Sequence, residues 1–201
     1  MPQITAAEFH ALPLRVNTLL ADVPLHDVWA VDLPRLSGDV TLDAFLARSG
    51  QSIFGSPDSK MERLPLAARA LFSLRVLLGR MFGLEAQPMD AGTICYADRL
   101  NAEDRARSSI AAGTADGLFL VVYRFDNEQL LELHNRTVHA AALSALTETA
   151  NGYRCYFAVY VAAVGWITPV YMALIDPFRR WIIYPALMNS IRQNWLRAMS
   201  K

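Results

Sequence analysis

The chain has little lysine and no excess of either charge. Lysine occurs only at Lys60 and Lys201, and 19 basic residues are balanced by 19 acidic ones. A balanced chain lacks the electrostatic field that attracts nucleic acid or an anionic membrane, and we expect no nucleic acid as a partner. The glycine-rich phosphate loop, Gly-x-Ser-x-Gly, His-Glu-x-x-His and Cys-x-x-Cys are also missing from the sequence. We therefore expect no cofactor and no metal.

Cysteine is scarce as well. Cys95 and Cys155 do not have the spacing of metal ligands, and two reduced thiols in a reducing cytoplasm are favoured over a disulfide. The N-terminus has no basic start, and it carries Glu8 and His10 where a signal peptide has its apolar core. We therefore predict a cytoplasmic protein.

What the chain does have is apolar content. Apolar residues make up 53% of the sequence and charged residues 19%, which is below the usual fraction of about 25%. This surplus predicts a large core, a lined cavity or a buried contact between two copies of the chain. A homo-oligomer is thus one of three explanations for it.

One apolar run has the length of a membrane span. Cys155 to Ile175 contains 21 uncharged residues, and a bilayer needs about 20. However, Asn151-Gly152 favours a hairpin turn just before it, and Gly165 and Thr168-Pro169 interrupt it. We therefore predict a strand followed by the first turns of a helix, with no transmembrane segment.

Hydrophobic periodicity predicts an α+β fold. We expect residues 1–24 to form a loose N-terminal arm and residues 25–201 to form a single domain. Pro185 lies well inside the last predicted helix and should bend it. The predicted strands span residues 25–33, 92–97, 118–125, 130–146 and 153–164, and the predicted helices span residues 41–48, 64–82, 101–112 and 168–199.

Four segments resemble an uncharacterised bacterial family that is catalogued as a domain of unknown function, series 2867. The likeness runs from about residue 24 to residue 198, and it implies no catalytic residue because the family has no assigned chemistry. The segments are residues 26–34 (HDVWAVDLP), 123–125 (YRF), 135–139 (NRTVH) and 171–185, which contain YMALIDPFRR and the pair Tyr184-Pro185.

The order of elements is also similar to the START/Bet v 1-like (SRPBCC) helix-grip superfamily. That resemblance implies an antiparallel β-sheet curled around a long, Pro-kinked C-terminal α-helix, with a cavity between the sheet and the helix. Members of the superfamily bind lipids, sterols, polyketides or hormones, and a minority are cyclases or dehydratases. Fold resemblance alone does not establish function.

Two sets of residues are candidates for lining such a cavity. Asn135, Thr137 and His139 lie on the same side of the predicted strand over residues 130–146 as Leu131, Leu133 and Leu143. If this leucine side faces the core, the three polar side chains point into the interior. His139 is otherwise a core or rim residue, whereas Glu132, His134 and Arg136 should face solvent unless the register is reversed. The second set is aromatic and suits a cavity wall, although plain core packing is the alternative: Trp29, Tyr123, Tyr156 and Tyr160.

Two charged pairs are best explained by solvent exposure. Asp126 and Glu128 flank a turn, and Arg179-Arg180 precede Trp181 on the last helix. The alternative for the arginine pair is contact with a lipid headgroup or a partner.

Three functions follow from these observations. The first is binding of a small hydrophobic or aromatic ligand, oriented by Asn135, Thr137 and His139. The second is a cyclase- or dehydratase-type enzyme that uses the same cavity, with His139 as general acid–base, because histidine titrates near neutral pH. The third is an interaction module that uses the arginine-rich C-terminal helix on a protein partner or a membrane surface.

Overall fold

The computed structural model describes residues 4–35, 40–49, 95–117, 119–134, 138–165 and 167–199. The predicted helix over residues 64–82 lies outside these residues. The strands are β1 (Leu25–Pro34), β2 (Ala115–Asp116), β3 (Phe119–Arg124), β4 (Glu128–His134), β5 (His139–Thr149) and β6 (Gly152–Ala162). The helices are α1 (Ala6–His10), α2 (Val16–Leu19), α3 (Leu42–Ser49), α4 (Ala102–Arg107), α5 (Ile167–Phe178) and α6 (Tyr184–Met199).

In the described residues the strands form one six-stranded antiparallel sheet in the order β1-β6-β5-β4-β3-β2. The first strand of the chain therefore pairs with the last. This sheet and the helical C-terminal segment confirm the predicted α+β class. The arrangement is consistent with a helix-grip fold.

Both faces of the sheet are covered, and we name each face by what covers it. The helix face packs against α3 and α6, and buries Trp29, Val31, Phe157 and other apolar side chains of the strands. The arm face packs against residues 4–24 and against the 3₁₀ turn Tyr96–Arg99. Because both faces are covered, most residues of β1 and β6 are buried, with little alternation between buried and exposed positions.

The N-terminal segment is packed on the sheet, although we expected a loose arm. Thr5 caps α1 through a capping box with Glu8, and Phe9 is fully buried against the arm face. The division of the chain into an arm, residues 1–24, and a single domain, residues 25–201, stays a prediction.

The C-terminal helical segment follows the prediction for residues 168–199. It consists of α5, a π-helical turn at Arg179–Ile183, and α6. Pro185 has no N–H to donate to the carbonyl of Trp181, and the wide turn lies directly before it. Trp195 anchors the far end of α6, where its indole Nε1 donates to the carbonyl of Pro34 at 2.9 Å. Every helix in the described residues is too short or too polar to span a membrane.

Residues 130–146 do not form one strand, and this part of the prediction is wrong. The chain reverses between β4 and β5, and His134 pairs directly with His139. Residues an odd number apart lie on opposite faces of a single strand, whereas cross-strand partners share a face. The reversal therefore places Glu132, His134 and His139 on the arm face together.

The predicted hairpin before β6 is present, but it is centred one residue earlier than Asn151-Gly152. Thr149 pairs with Gly152, and Leu146 pairs with Cys155. Gly152 has φ +153°, and a Cβ there would lie 2.2 Å from the carbonyl oxygen of Leu33. A glycine is required at this position because β1 approaches the turn so closely.

The predicted starts of two helices are confirmed, whereas the end of one helix and one short strand were predicted wrongly. Thr41 Oγ1 accepts the Ala44 N–H at 3.3 Å at the start of α3, and Asn101 caps α4 by accepting the Asp104 N–H at 2.7 Å. The helix that Asn101 begins ends at Arg107, before the predicted residue 112. The strand predicted over residues 92–97 is absent from its described part, where the 3₁₀ turn begins at Tyr96.

The two thiols are not joined in a disulfide, as predicted. Cys155 is buried on the helix face, and this burial raises the pKa of its thiol to about 12. It is therefore a core residue rather than a reactive one.

Candidate functional site

A buried carboxylate lies between β1 and the C-terminal helical segment. The Asp27 side chain is 0% exposed, and its Oδ1 accepts a hydrogen bond from Arg180 Nε at 3.1 Å. Its Oδ2 has no hydrogen-bond partner among the described residues, and Arg179 Nη2 lies 3.7 Å from it. An unsatisfied buried carboxylate oxygen is costly, so it needs an explanation.

The π-helical turn supplies the arginines that face Asp27. Arg179 donates two hydrogen bonds to the hydroxyl oxygen of Tyr184, from Nε at 2.8 Å and from Nη2, and a third to Asp176 Oδ1 at 3.2 Å. Burial raises the pKa of Tyr184 to about 12, so its hydroxyl stays protonated near neutral pH. Single π-helical turns often occur at functional sites, which draws attention to this segment.

A histidine at the start of β1 completes this polar cluster. His26 Nε2 lies 2.9 Å from both carboxylate oxygens of Asp176 and 3.7 Å from Asp27 Oδ2. The sheet register shifts between Leu25 and Asp27, so the chain is bulged at His26. This bulge brings two adjacent residues of β1 to the same carboxylate of α5.

An aromatic surface adjoins the polar cluster. Trp29 follows Asp27 by two residues on β1, so both side chains are on the helix face. The Trp29 and Tyr184 rings lie 5.5 Å apart, and the Tyr184 and Phe157 rings 5.7 Å apart. The buried Trp29 Nε1 has no hydrogen-bond partner among the described residues. On the helix face, β1 therefore carries a donor, Trp29 Nε1, and an acceptor, Asp27 Oδ2, that have no hydrogen-bond partner among the described residues.

The arm face carries a second polar cluster, centred on Glu132. Its side chain is 2% exposed; Oε1 lies 2.5 Å from His139 Nε2 and accepts the Tyr96 backbone N–H at 3.0 Å. The Tyr96 ring stacks on the His139 imidazole with centroids 4.0 Å apart, and its buried hydroxyl has no partner in the described part of the chain. Burial and the Glu132 charge raise the pKa of Tyr96 to about 12.

A second buried carboxylate, Glu128, lies at the other end of β4. It accepts the Arg15 backbone N–H at 2.6 Å and the Tyr123 hydroxyl at 3.0 Å, and burial raises its pKa. Burial also raises the pKa values of Tyr123 and Tyr160. Glu128 borders an open pocket of about 480 Å³ under the arm, which is also lined by His10, Leu12, Pro13, Leu14, Arg15, Asn17, Thr18 and Arg107.

The predicted aromatic residues do not surround one cavity. Trp29 is on the helix face, whereas Tyr123, Tyr156 and Tyr160 belong to the core of the arm face. Tyr123 contacts Glu128, and the Tyr160 hydroxyl donates to Asn17 Oδ1 at 3.4 Å. The sheet itself therefore separates Trp29 from the three tyrosines.

The predicted polar set is likewise divided. His139 lies on the arm face beside Glu132, and Asn135 and Thr137 lie outside the described residues. The ligand-binding roles of these seven residues stay predictions. The contact between His139 and the buried Glu132 was not predicted from the sequence.

Sequence reasoning assigned three acidic residues incompletely. Glu128 was expected at the surface beside Asp126; Asp126 is exposed, but Glu128 is buried. Glu132 was placed with the solvent-facing residues, and Asp27 had no assigned role. The available signal for burial was the strand spacing. Alternate positions hold Glu128, Leu130 and Glu132, so both acids share a face with a core leucine.

The surface expected for an interaction module is present only in part, because the Arg180 side chain is 44% exposed but the Arg179 side chain, which was expected in solvent, is only 13% exposed. Trp181 is 80% exposed on the π-helical turn, and Val170 and Leu174 of α5 are also exposed. Its use in binding a partner stays a prediction.

A family model described as "Protein of unknown function (DUF2867)" matches residues 19–186. The chain belongs to the DUF2867 family. No curated protein shows significant similarity to the chain. The region shared with DUF2867 runs from α2 into α6 and includes the whole helix-face cluster around Asp27 and Trp29. By contrast, the pocket under the arm is lined largely by residues 10–18, which precede the DUF2867 match.

Proposed function

We propose that the protein binds a small hydrophobic or aromatic molecule between the sheet and the C-terminal helical segment. The observation that carries this proposal is the buried indole N–H of Trp29, which has no partner among the described residues and lies beside Tyr184. Buried donors in native proteins are nearly always satisfied, and a bound ligand is one means of satisfying them.

The surroundings of Trp29 indicate the chemistry of the ligand. Tyr184 and Phe157 offer aromatic surface, which favours an apolar or planar body. The Trp29 N–H can only donate, so the ligand needs an acceptor such as a carbonyl, ether or hydroxyl oxygen. A hydroxylated or keto aromatic compound, a polyketide-like compound and a sterol meet both requirements.

The buried Trp29 and the exposed Trp181 provide a variant and its matched control. The full chain is screened against such compounds by native mass spectrometry, and hits are titrated calorimetrically on Trp29→Phe and Trp181→Phe. Trp29→Phe keeps the aromatic ring and removes the donor, so we expect affinity to fall about fivefold, as for one hydrogen bond of about 1 kcal/mol. Trp181 is exposed, so Trp181→Phe should bind like the unaltered protein.

Two results would contradict the proposal. One is a purified chain that carries no ligand and binds none of the compounds. The other is a ligand whose affinity is equal for both variants, because the Trp29 donor would then play no part.

A second candidate function is acid–base catalysis on the arm face. The observation that favours it is the contact between His139 and the buried Glu132, since a carboxylate orients a catalytic imidazole and stabilises its protonated form. With Nε2 held by Glu132, Nδ1 would be the atom that exchanges a proton with a substrate. Such chemistry would not use the surface around Trp29, which is on the other face.

His139→Gln and His10→Gln form the matched pair for this candidate. His10 is an exposed histidine of α1 that bonds Asn17. If any compound from the screen is dehydrated or cyclised, His139→Gln should lower kcat by at least about 100-fold, as for loss of a general acid–base, and His10→Gln should not. Equal turnover by both variants would rule out His139.

We further infer membership of the START/Bet v 1-like (SRPBCC) helix-grip superfamily, with a bend in the C-terminal helix near Pro185. The order of elements, the antiparallel sheet and the π-helical turn before Pro185 support this inference. The bacterial origin and cytoplasmic location are kept as predictions. A crystal structure of the full chain, compared with helix-grip proteins, tests the superfamily and the bend together.

A further inference from the structure

Three side chains from two distant segments of the chain bring possible metal-ligand atoms close together. His26 and Asp27 are adjacent on β1, whereas Asp176 lies on α5, and one ligand atom from each falls within 4.8 Å of the other two. His26 Nε2 is 2.9 Å from Asp176 Oδ1 and 3.7 Å from Asp27 Oδ2. Two ligands about 2.1 Å from one ion are about 3.0–3.4 Å apart at octahedral or tetrahedral angles. The 2.9 Å spacing is close to this range, and the 3.7 Å spacing would shorten by a few tenths of an ångström around a common ion.

The unsatisfied oxygen of Asp27 is the independent observation. Asp27 Oδ1 accepts the hydrogen bond from Arg180, whereas Oδ2 has no hydrogen-bond partner among the described residues and lies 3.7 Å from both His26 Nε2 and Arg179 Nη2. The side chain is fully buried, so solvent does not satisfy this atom. A cation bound by Oδ2 would satisfy it without displacing the hydrogen bond to Oδ1.

We propose that His26, Asp27 and Asp176 form a binding site for a divalent first-row transition-metal cation. One imidazole nitrogen and two carboxylate oxygens suit Mn²⁺, Fe²⁺ or Zn²⁺. Three protein ligands leave at least one coordination position for water or another molecule. Trp29 is two residues from Asp27 on the same face, so the ion would lie about 7 Å along the strand from the aromatic surface.

The nearby arginines compete with the ion and set its affinity. Arg179 is held by Tyr184 and Asp176, whereas the Arg180 side chain is 44% exposed and reaches Asp27 through Nε. Their two positive charges neutralise the two carboxylates when no ion is bound. Removing the more exposed of the two charges with Arg180→Gln should therefore strengthen metal binding several-fold.

Calorimetric titration of the EDTA-treated full chain with MnCl₂ and with ZnCl₂ tests the site. We expect one saturable site, at least tenfold weaker in His26→Gln and in Asp176→Asn, and tighter in Arg180→Gln. Both ligand substitutions are at partly exposed positions, so the variants should fold. His10→Gln is the matched control for adventitious binding to a surface histidine and should bind as the unaltered chain does.

The proposal is overturned by any of three results. The first is no saturable binding of either ion up to about 1 mM, which is the weak end of the range for protein cation sites. The second is equal binding by His26→Gln and the unaltered chain. The third is loss of binding in His10→Gln. The result is independent of the small-molecule proposal, which is tested with Trp29→Phe and without added metal.

Discussion

His139 Nε2 lies 2.5 Å from Glu132 Oε1, and the two residues are brought together by the reversal between β4 and β5. Glu132 also accepts the backbone N–H of Tyr96. Glu132→Ala would remove the acceptor that His139 Nε2 and the Tyr96 backbone N–H share, in a buried part of the protein. We expect it to lower the free energy of unfolding by about 2–4 kcal/mol, measured by urea denaturation.

Glu148→Ala is the control for that experiment. Glu148 is an exposed residue of β5 that pairs with Arg35 at 2.5 Å. Exposed ion pairs contribute little, so the loss should be below about 0.5 kcal/mol. Similar losses in Glu132→Ala and Glu148→Ala would show that the Glu132 contacts do not stabilise the fold.

Gly152→Ala should destabilise the β5–β6 turn and its contact with β1. The added Cβ would meet the Leu33 carbonyl oxygen at 2.2 Å, and φ +153° is unfavourable for alanine. We expect a loss of about 2–4 kcal/mol in free energy of unfolding. Gly165→Ala has no atom within 4 Å of the new Cβ and should change stability by less than about 0.5 kcal/mol. The prediction fails if the melting temperatures of the two variants match.

Glu128 should make stability depend on pH in an unusual direction for a carboxylate. Burial raises its pKa in the folded state above the ordinary value of 4.5, so folding favours its protonated form. Its contribution to stability is therefore fully present below about pH 4.5 and is lost as the pH rises through the raised pKa.

Glu128→Gln removes this titration. The free energy of unfolding of the unaltered protein, minus that of Glu128→Gln, should therefore decrease from about pH 4 to about pH 7. Chemical denaturation at a series of pH values measures the difference. An increase over this range would mean that the hydrogen bonds from Arg15 and Tyr123 outweigh the effect of burial.

Trp195 should be the principal anchor of α6. It is fully buried against Phe45 and Tyr153, and its N–H bonds the end of β1. Trp195→Ala should cost about 3–5 kcal/mol, because it creates a large cavity and removes a hydrogen bond. The exposed Trp181 is the control, and Trp181→Ala should change stability by less than about 0.5 kcal/mol. Equal stability of the two variants would exclude this anchoring role.

Local patterns predicted those elements whose ends are marked by local chemistry. Pro34 ends β1, Thr41 begins α3, and the apolar run after Asn151-Gly152 forms β6. The reversal after His134 was missed because residues 135–138 contain neither glycine nor proline, so the alternation seemed to continue. That omission placed His139 and Glu132 on opposite faces.

The site could be predicted only in part, because its contacts join distant segments. Trp29 was correctly selected as an inward aromatic residue, but its neighbour Tyr184 lies on the last helix. Glu128 is buried because the backbone of Arg15 reaches it, and no local pattern around Glu128 indicates that contact. Charge and turn propensity alone therefore favoured a surface position.

The pairing of β1 with β6 has a consequence for synthesis on the ribosome. Residues 25–34 emerge early, yet their hydrogen-bond partners are residues 152–160. At about 5–20 residues per second, β1 waits several seconds or longer for its partner strand. During that time an apolar strand has unpaired backbone groups and is open to aggregation. Sheet closure is thus a late step, and the cell must protect the nascent chain until β6 has left the ribosome.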